Sequence, residues 1–228
     1  MSYDPNASPI IALPPAVILL VLGIVIPEAL FAAGNAGLIW GPAGIGLRQA
    51  AVETYGFYGQ VWGDLIGRGT VNFDRMKRFA TYPFVHLSFT QAVFGCVFVL
   101  ALGKFVGEQF RGWAVIAIFF FSSLLGAIAY GAIFNDPFPL VGAFAGAYGL
   151  IGAFTYLLAG RLSAAGGNQM NAFQLIGILM AVQLLFALLL GTDNTWVADL
   201  AGFAGGFLLS SIVRPGGWAA LIERIRRD

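Results

Sequence analysis

Six long apolar blocks, separated by shorter polar segments, dominate the chain. Each block is long enough to cross a hydrocarbon core roughly 30 Å thick as an α-helix. No ten-residue alternation suggests a β-barrel, and an open sheet would leave its edge backbone groups unpaired in lipid. The pattern therefore predicts an all-α integral membrane protein of one domain, residues 1–228, with six transmembrane helices. The predicted spans cover about residues 10–33, 84–102, 113–134, 140–158, 173–190 and 196–213.

Two segments outside the spans have patterns of their own. Residues 34–83 form a long, aromatic-rich loop that is too apolar for disorder and too interrupted for a span, so we expect it at the membrane interface. Either an ordinary belt of interfacial aromatic residues or a docking surface for a partner would give this composition. In residues 216–228, apolar residues recur at helical spacing away from three arginines, which predicts an amphipathic helix on an anionic membrane surface.

Composition excludes several functions. Apolar residues make up 59% of the chain and charged residues 10%, and the formal net charge is +1, so nothing suggests a nucleic-acid partner. The single cysteine, Cys96, lies in an apolar run and cannot form an internal disulfide. No segment resembles a phosphate-binding loop, a nucleotide motif or a metal-ligand cluster. We therefore expect no cofactor and no metal.

The placement of the basic residues predicts the orientation. An even number of spans puts both termini on one side of the membrane. If that side is the cytoplasm, all of its basic residues lie close to span ends, as the positive-inside rule requires. The basic residues on the other side all fall in the long first loop, where charge has little influence on topology. We expect a multi-pass protein of the bacterial inner membrane with cytoplasmic termini. The inner basic residues are Lys104, Arg111, Arg161, Arg214, Arg224, Arg226 and Arg227.

Three stretches resemble, in the same order and in matching spans, the rhomboid family of intramembrane serine proteases. Residues 78–89 resemble the segment leading into the family's second helix, where an Arg, a Thr, an aromatic residue and a His recur. Residues 142–153 resemble the fourth helix, where the nucleophilic Ser precedes a Tyr-Gly pair. Residues 198–206 are similar to the sixth helix, where Ala-His-Leu-Gly-Gly supplies the base. The likeness covers essentially the whole chain and implies a rhomboid-like bundle of six helices.

At the positions that carry the family's chemistry, this sequence departs from the pattern. Phe144 stands in the place of the nucleophile and Asp199 in the place of the base. Gln91 and Gly95 stand where the family has the His and Asn that stabilise the oxyanion. Acyl transfer needs a nucleophile and a base within hydrogen-bond reach, and a phenyl ring cannot attack a carbonyl. The resemblance thus implies a pseudoprotease that lacks the Ser/His dyad and has no catalytic residue.

Other positions keep the family's pattern or suggest close helix packing. The retained family-like residues are Arg78, Thr81, His86, Tyr148, Gly149 and Gly202. Gly142 and Gly146 lie on a glycine stripe of the fourth span, and Gly206 lies on a stripe of the sixth. Small residues let helix backbones approach closely in a membrane, so we expect these two spans to pack at the centre of the bundle.

Substitute chemistry has little support in the sequence. Ser88 is two residues from His86, the only histidine, so the two face different sides of a helix. An aspartyl mechanism needs two carboxylates in one site. The only acids expected to be buried are Glu28 and Asp199, and their surroundings do not resemble the Gly-x-Gly-Asp of intramembrane aspartyl proteases. A relay between these two acids would instead move protons.

Each of these two acids also has a simpler explanation. We expect Glu28 to be a hydrated cap near the outer end of the first span. Asp199 could make a polar contact to a partner helix or line a residual water pocket. Alternatively, it could be hydrated at the span end or bonded to Tyr148.

Relatives of this fold that lack the dyad imply recognition of transmembrane helices in client proteins. We therefore predict a non-proteolytic protein that binds partner membrane proteins through their transmembrane helices, beside spans two and five. Phe144 is predicted to fill the former active-site cavity. The alternatives are a structural subunit of a larger membrane complex and a rhomboid-type serine endopeptidase with atypical residues. The expected partners are membrane proteins and the lipid bilayer, and no nucleic acid.

Overall fold

The computed structural model describes residues 13–69, 72–134, 137–190 and 194–214. Across these residues the chain is helical apart from turns, short extended segments and one isolated β-bridge. The α-helices are α1 (Pro15–Asn35), α2 (Leu47–Tyr55), α3 (Gly59–Arg68), α4 (Phe73–Thr81), α5 (Phe89–Gly107), α6 (Gly112–Ile133), α7 (Phe144–Ala164), α8 (Gln174–Leu190) and α9 (Trp196–Val213). The predicted amphipathic tail, residues 216–228, lies outside the described residues.

Six of these helices correspond to the six predicted spans. Helices α1, α5, α6 and α9 are each long and apolar enough to cross a membrane. Helix α8 has only 17 residues, and the Gly, Tyr and Thr residues of α7 lower its mean hydropathy. The all-α membrane class is confirmed, whereas the count of six membrane crossings stays a prediction.

The second span begins later than predicted, at Phe89 rather than at residue 84. Pro83 lies in a single 3-10 turn, and the chain is then non-helical until Ser88. The Ser88 side chain caps α5 by accepting a hydrogen bond from the Gln91 N–H at 3.1 Å. The residues just before this cap, which include His86, are therefore outside the helix.

The fourth span also begins later, at Phe144 rather than at residue 140. Leu140 forms an antiparallel bridge with Phe57 of the first loop, with N–H to O distances of 3.0 and 2.7 Å. Gly142 follows with φ +97°, a left-handed conformation that favours glycine. The expectation that Gly142 lies on the packing stripe of the fourth span is wrong, because this residue precedes the helix.

The first loop, residues 34–83, is a folded segment containing α2, α3 and α4. Its aromatic residues Phe57 and Tyr82 are fully buried. The Tyr82 hydroxyl donates to the backbone oxygen of Ser123 in α6 at 2.8 Å. Helices α3 and α4 also pack against α6. Part of the aromatic pattern therefore belongs to a core shared with the bundle, while the predicted position at the membrane interface stays a prediction.

Helix α7 is the central helix of the described fold. Every residue from Ala145 to Ala153 is buried, and the helix packs against α5, α6 and α9. A Cβ added to Gly206 of α9 would overlap the carbonyl oxygen of Gly149, and one added to Gly202 would overlap that of Ala145. The backbones of α7 and α9 thus touch at positions that only glycine can occupy.

A chain of polar contacts, which we call the polar clamp, consists of Glu28, Arg48, His86 and Ala143. The Arg48 guanidinium bonds both carboxylate oxygens of Glu28, at 2.8 and 2.5 Å, and the backbone oxygen of His86 at 3.0 Å. The Ala143 N–H donates to His86 Nε2 at 3.3 Å. The clamp connects α1, α2, the segment before α5 and the start of α7. The expectation of a hydrated Glu28 is wrong, since this residue is only 7% exposed and is ion-paired.

The contact between α7 and α9 predicts a sharp difference between two identical substitutions. Gly206→Ala adds a methyl group against the Gly149 backbone and should lower the free energy of unfolding by about 1–3 kcal/mol. Gly160→Ala in α7 adds the same group where no atom lies within 4 Å, and should raise stability by up to about 1 kcal/mol. Unfolding in detergent measures both. Equal effects of the two substitutions would contradict this packing.

Candidate functional site

A crevice of about 150 Å³ lies where α5, α7, α8 and α9 converge. Its lining includes Gln91, Phe144 and Asp199, three of the four positions at which the resemblance predicts a departure from the family pattern. Gln183 and Thr195 also line it and were not singled out in the sequence. Gln183 could have been noticed, because a polar residue inside an apolar span is unusual and often functional.

Phe144 reaches the crevice because it is the first residue of α7. Its half-buried ring packs edge-on against Phe98 of α5, with ring centroids 6.3 Å apart. The ring therefore forms part of the crevice wall and is held there by α5. It narrows the crevice without closing it.

Asp199 lies in the first turn of α9 and is only 3% exposed. Its Oδ2 accepts a hydrogen bond from Gln183 Nε2 at 2.6 Å, and the Tyr148 hydroxyl donates to Gln183 Oε1 at 3.3 Å. Gln183 thus connects the carboxylate to the tyrosine. The helix dipole favours a negative charge at this position, in the first turn of α9. The Gln183 amide and the start of α9 therefore stabilise Asp199, as a buried acid requires.

Gln91 is engaged in capping α5. Its Oε1 accepts the backbone N–H of Leu87 at 2.6 Å. Its Nε2 lies near Gly142, since a Cβ added to that glycine would be 3.3 Å away. The amide can therefore present an N–H donor at the crevice wall while its oxygen holds the helix start.

His86 is a buried structural residue, 1% exposed. Its Nε2 accepts the Ala143 N–H, and the ring also hydrogen-bonds the backbone of Phe84. Burial lowers the pKa of His86, which precedes α5, to about 4, so the ring is neutral at pH 7. Gly95 packs beside it, because a Cβ there would be 3.1 Å from Nε2. The structure thus places Gly95 against His86, behind the start of α7.

Arg78 and Thr81 hold the first loop together. Arg78 donates to the Gly56 carbonyl at 2.7 Å, and its guanidinium lies 5.5 Å from the centroid of the Tyr58 ring. The Thr81 hydroxyl is 3.0 Å from the Lys77 carbonyl. Neither residue lines the crevice.

The described residues offer the crevice hydrogen-bonding groups but no serine. Its polar lining consists of one carboxylate, two amides and the Thr195 hydroxyl. Ser122 is buried in α6 against Gly149. Within residues 13–69, 72–134, 137–190 and 194–214, no group of three or more His, Cys, Asp or Glu side chains could hold a metal ion. The arrangement can bind a polar or cationic group.

The buried His86 predicts a pH-dependent stability. Its pKa is lowered from about 6.5 to about 4, so the stability it contributes is present above pH 6.5 and is lost as the pH falls towards 4. Between pH 7 and pH 5 the wild type should lose about 2 kcal/mol of unfolding free energy from this group. His86→Gln should lack that loss, and no other histidine is present to replace it. If the unfolding free energies of the wild type and His86→Gln fall equally between pH 7 and pH 5, His86 is not the source of the pH dependence.

Comparison with known proteins identifies the scaffold. Residues 74–216 match the family model described as the Rhomboid domain, from α4 through α9. The match covers more than half of the chain and includes every residue that lines the crevice. No curated protein matches the sequence. On the family match, this multi-pass membrane protein belongs to the rhomboid family.

Proposed function

We propose that this rhomboid-family protein is non-proteolytic and binds the transmembrane helices of partner membrane proteins, in a chaperone, assembly or regulatory role. We place it in a bacterial inner membrane with both termini in the cytoplasm. The observation that carries the proposal is the location of Phe144 in the crevice, at the position that the resemblance assigns to the nucleophile. A phenyl ring has no atom that can attack a carbonyl.

The residues around Phe144 support an inert crevice. Asp199, in the place of the base, is bound to the Gln183 amide. His86, the only histidine of the chain, has its Nε2 engaged by the Ala143 N–H. General-base activation of a nucleophile requires a free acceptor within hydrogen-bond reach of a hydroxyl or thiol. Neither Asp199 nor His86 is arranged as such a general base.

One observation favours the second candidate, a rhomboid-type endopeptidase with atypical residues. Thr195 lines the same crevice as Asp199 and carries a hydroxyl. Asp199 is bonded to the Gln183 amide, however, whereas the base of known triads is an imidazole within hydrogen-bond reach of the nucleophile. We therefore rank proteolysis below binding and use Thr195 as a specific test.

The polar groups of the crevice support a binding function. Gln91 of α5 and Gln183 of α8 both reach it, so a helix that lies beside α5 and α8 would come close to the buried carboxylate of Asp199. Polar side chains bond across helices within a membrane. Phe94 of α5 and Val182 of α8 are exposed close to these two residues. A client helix with a polar or basic side chain would thus find an apolar surface and a partner for that group.

The first test asks whether a fluorophosphonate probe labels the protein at the crevice. The wild type should not label, whereas Phe144→Ser combined with Asp199→His and Gln91→His should regain some labelling, because nucleophile, base and oxyanion donor return to one crevice. The same triple variant with Phe144→Ala is the matched control and should stay unlabelled. Labelling or reporter cleavage by the wild type, abolished by Thr195→Ala, would establish the atypical protease instead.

The second test asks what lies beside α5 and α8. A photo-crosslinking residue at Phe94 or Val182 should capture several membrane proteins in substoichiometric amounts from native membranes. The same residue at Leu19, exposed on α1, is the control and should capture far less. One partner at a fixed ratio would favour a structural subunit. Equal capture at all three positions would refute a specific docking face.

A further inference from the structure

A second cavity lies at the opposite ends of α7 and α9 from the crevice. It is a groove of about 590 Å³ formed by the last turns of both helices, with Gln109 after α5 and Gln169 before α8. Because α7 and α9 both begin at the crevice and both end at the groove, the two sites lie at opposite ends of the bundle. If α7 and α9 cross the membrane as predicted, the groove lies at the level where lipid headgroups replace hydrocarbon.

Two arginines make the groove cationic. Arg161 lies in the last turn of α7, and Arg214 is the C-cap of α9; both are exposed and both line the groove. The described lining includes no Asp or Glu, and neither arginine forms an ion pair with any residue in the described part of the chain. Guanidinium groups match phosphate oxygens in shape as well as charge.

One wall of the groove is apolar and aromatic. The Arg214 guanidinium lies 5.9 Å from the centroid of the Tyr156 ring. Tyr156 packs edge-on against Phe207 of α9, with ring centroids 5.7 Å apart, and Leu157 completes this wall. A ligand that matches both the two arginines and the aromatic wall has an anionic headgroup beside the arginines and a hydrocarbon chain against the rings.

We propose that this groove binds an anionic phospholipid, with its phosphate between Arg161 and Arg214 and its acyl chain against Leu157 and Phe207. Free phosphate shares the headgroup chemistry but would leave the apolar wall uncovered. This binding does not depend on the crevice at the other end of the bundle. It remains testable whether or not the protein binds client helices.

The test is native mass spectrometry of the full-length protein titrated with phosphatidylglycerol or with phosphatidylcholine of the same acyl chains. The wild type should bind phosphatidylglycerol about tenfold more tightly, as expected for guanidinium groups that face an anionic headgroup. Arg161→Gln combined with Arg214→Gln should remove this preference. Arg111→Gln, the same change at the N-cap of α6 outside the groove lining, is the matched control and should keep it.

Two further arms make the result specific. Arg161→Lys combined with Arg214→Lys should keep most of the preference, because the charge is retained, and unfolding measurements on each variant exclude loss of fold. Inorganic phosphate alone should compete poorly. The proposal is overturned if the wild type shows no preference, if Arg111→Gln loses as much as the double glutamine variant, or if inorganic phosphate displaces the lipid completely.

Discussion

The backbones of α7 and α9 touch at Gly149 and Gly206, and the remainder of the site depends on this contact. Without a driving force from water, helices in a membrane associate through close packing and polar contacts, and glycine permits the closest approach. Because the two helices run in the same direction in contact, their first turns carry Phe144 and Asp199 to one crevice. Their last turns bring Arg161 and Arg214 together at the other end.

The polar clamp fixes the position of the segment before α5, which forms a part of the crevice wall that α7 and α9 do not provide. A buried carboxylate such as Glu28 is costly unless it is paired, and Arg48 neutralises it while also holding the backbone of His86. The neutral His86 ring then bonds the N–H of Ala143, one residue before Phe144. Ion pair, imidazole and helix start form one connected unit, which positions the segment before α5 relative to α7.

The polar side chains of the crevice also hold its walls in place. Asp199 is stabilised by the start of α9 and by the Gln183 amide, and Gln91 holds the start of α5 through Leu87. Each of these groups is engaged in keeping the crevice in place. Together they form a preformed set of polar groups in an apolar protein, which suits the proposed recognition of another helix.

The sequence by itself determined the class of the fold, because long apolar blocks must be helices in lipid, and its resemblance to the rhomboid family is what assigns Phe144 and Asp199 to the family's key positions. It could not determine where α5 and α7 begin, since a Ser88 cap and a left-handed Gly142 outweigh the apolar run. It also missed the pairing of Glu28 with Arg48 and of Asp199 with Gln183. These contacts join residues far apart in the chain, so only the packing of the helices decides which buried acid meets which partner.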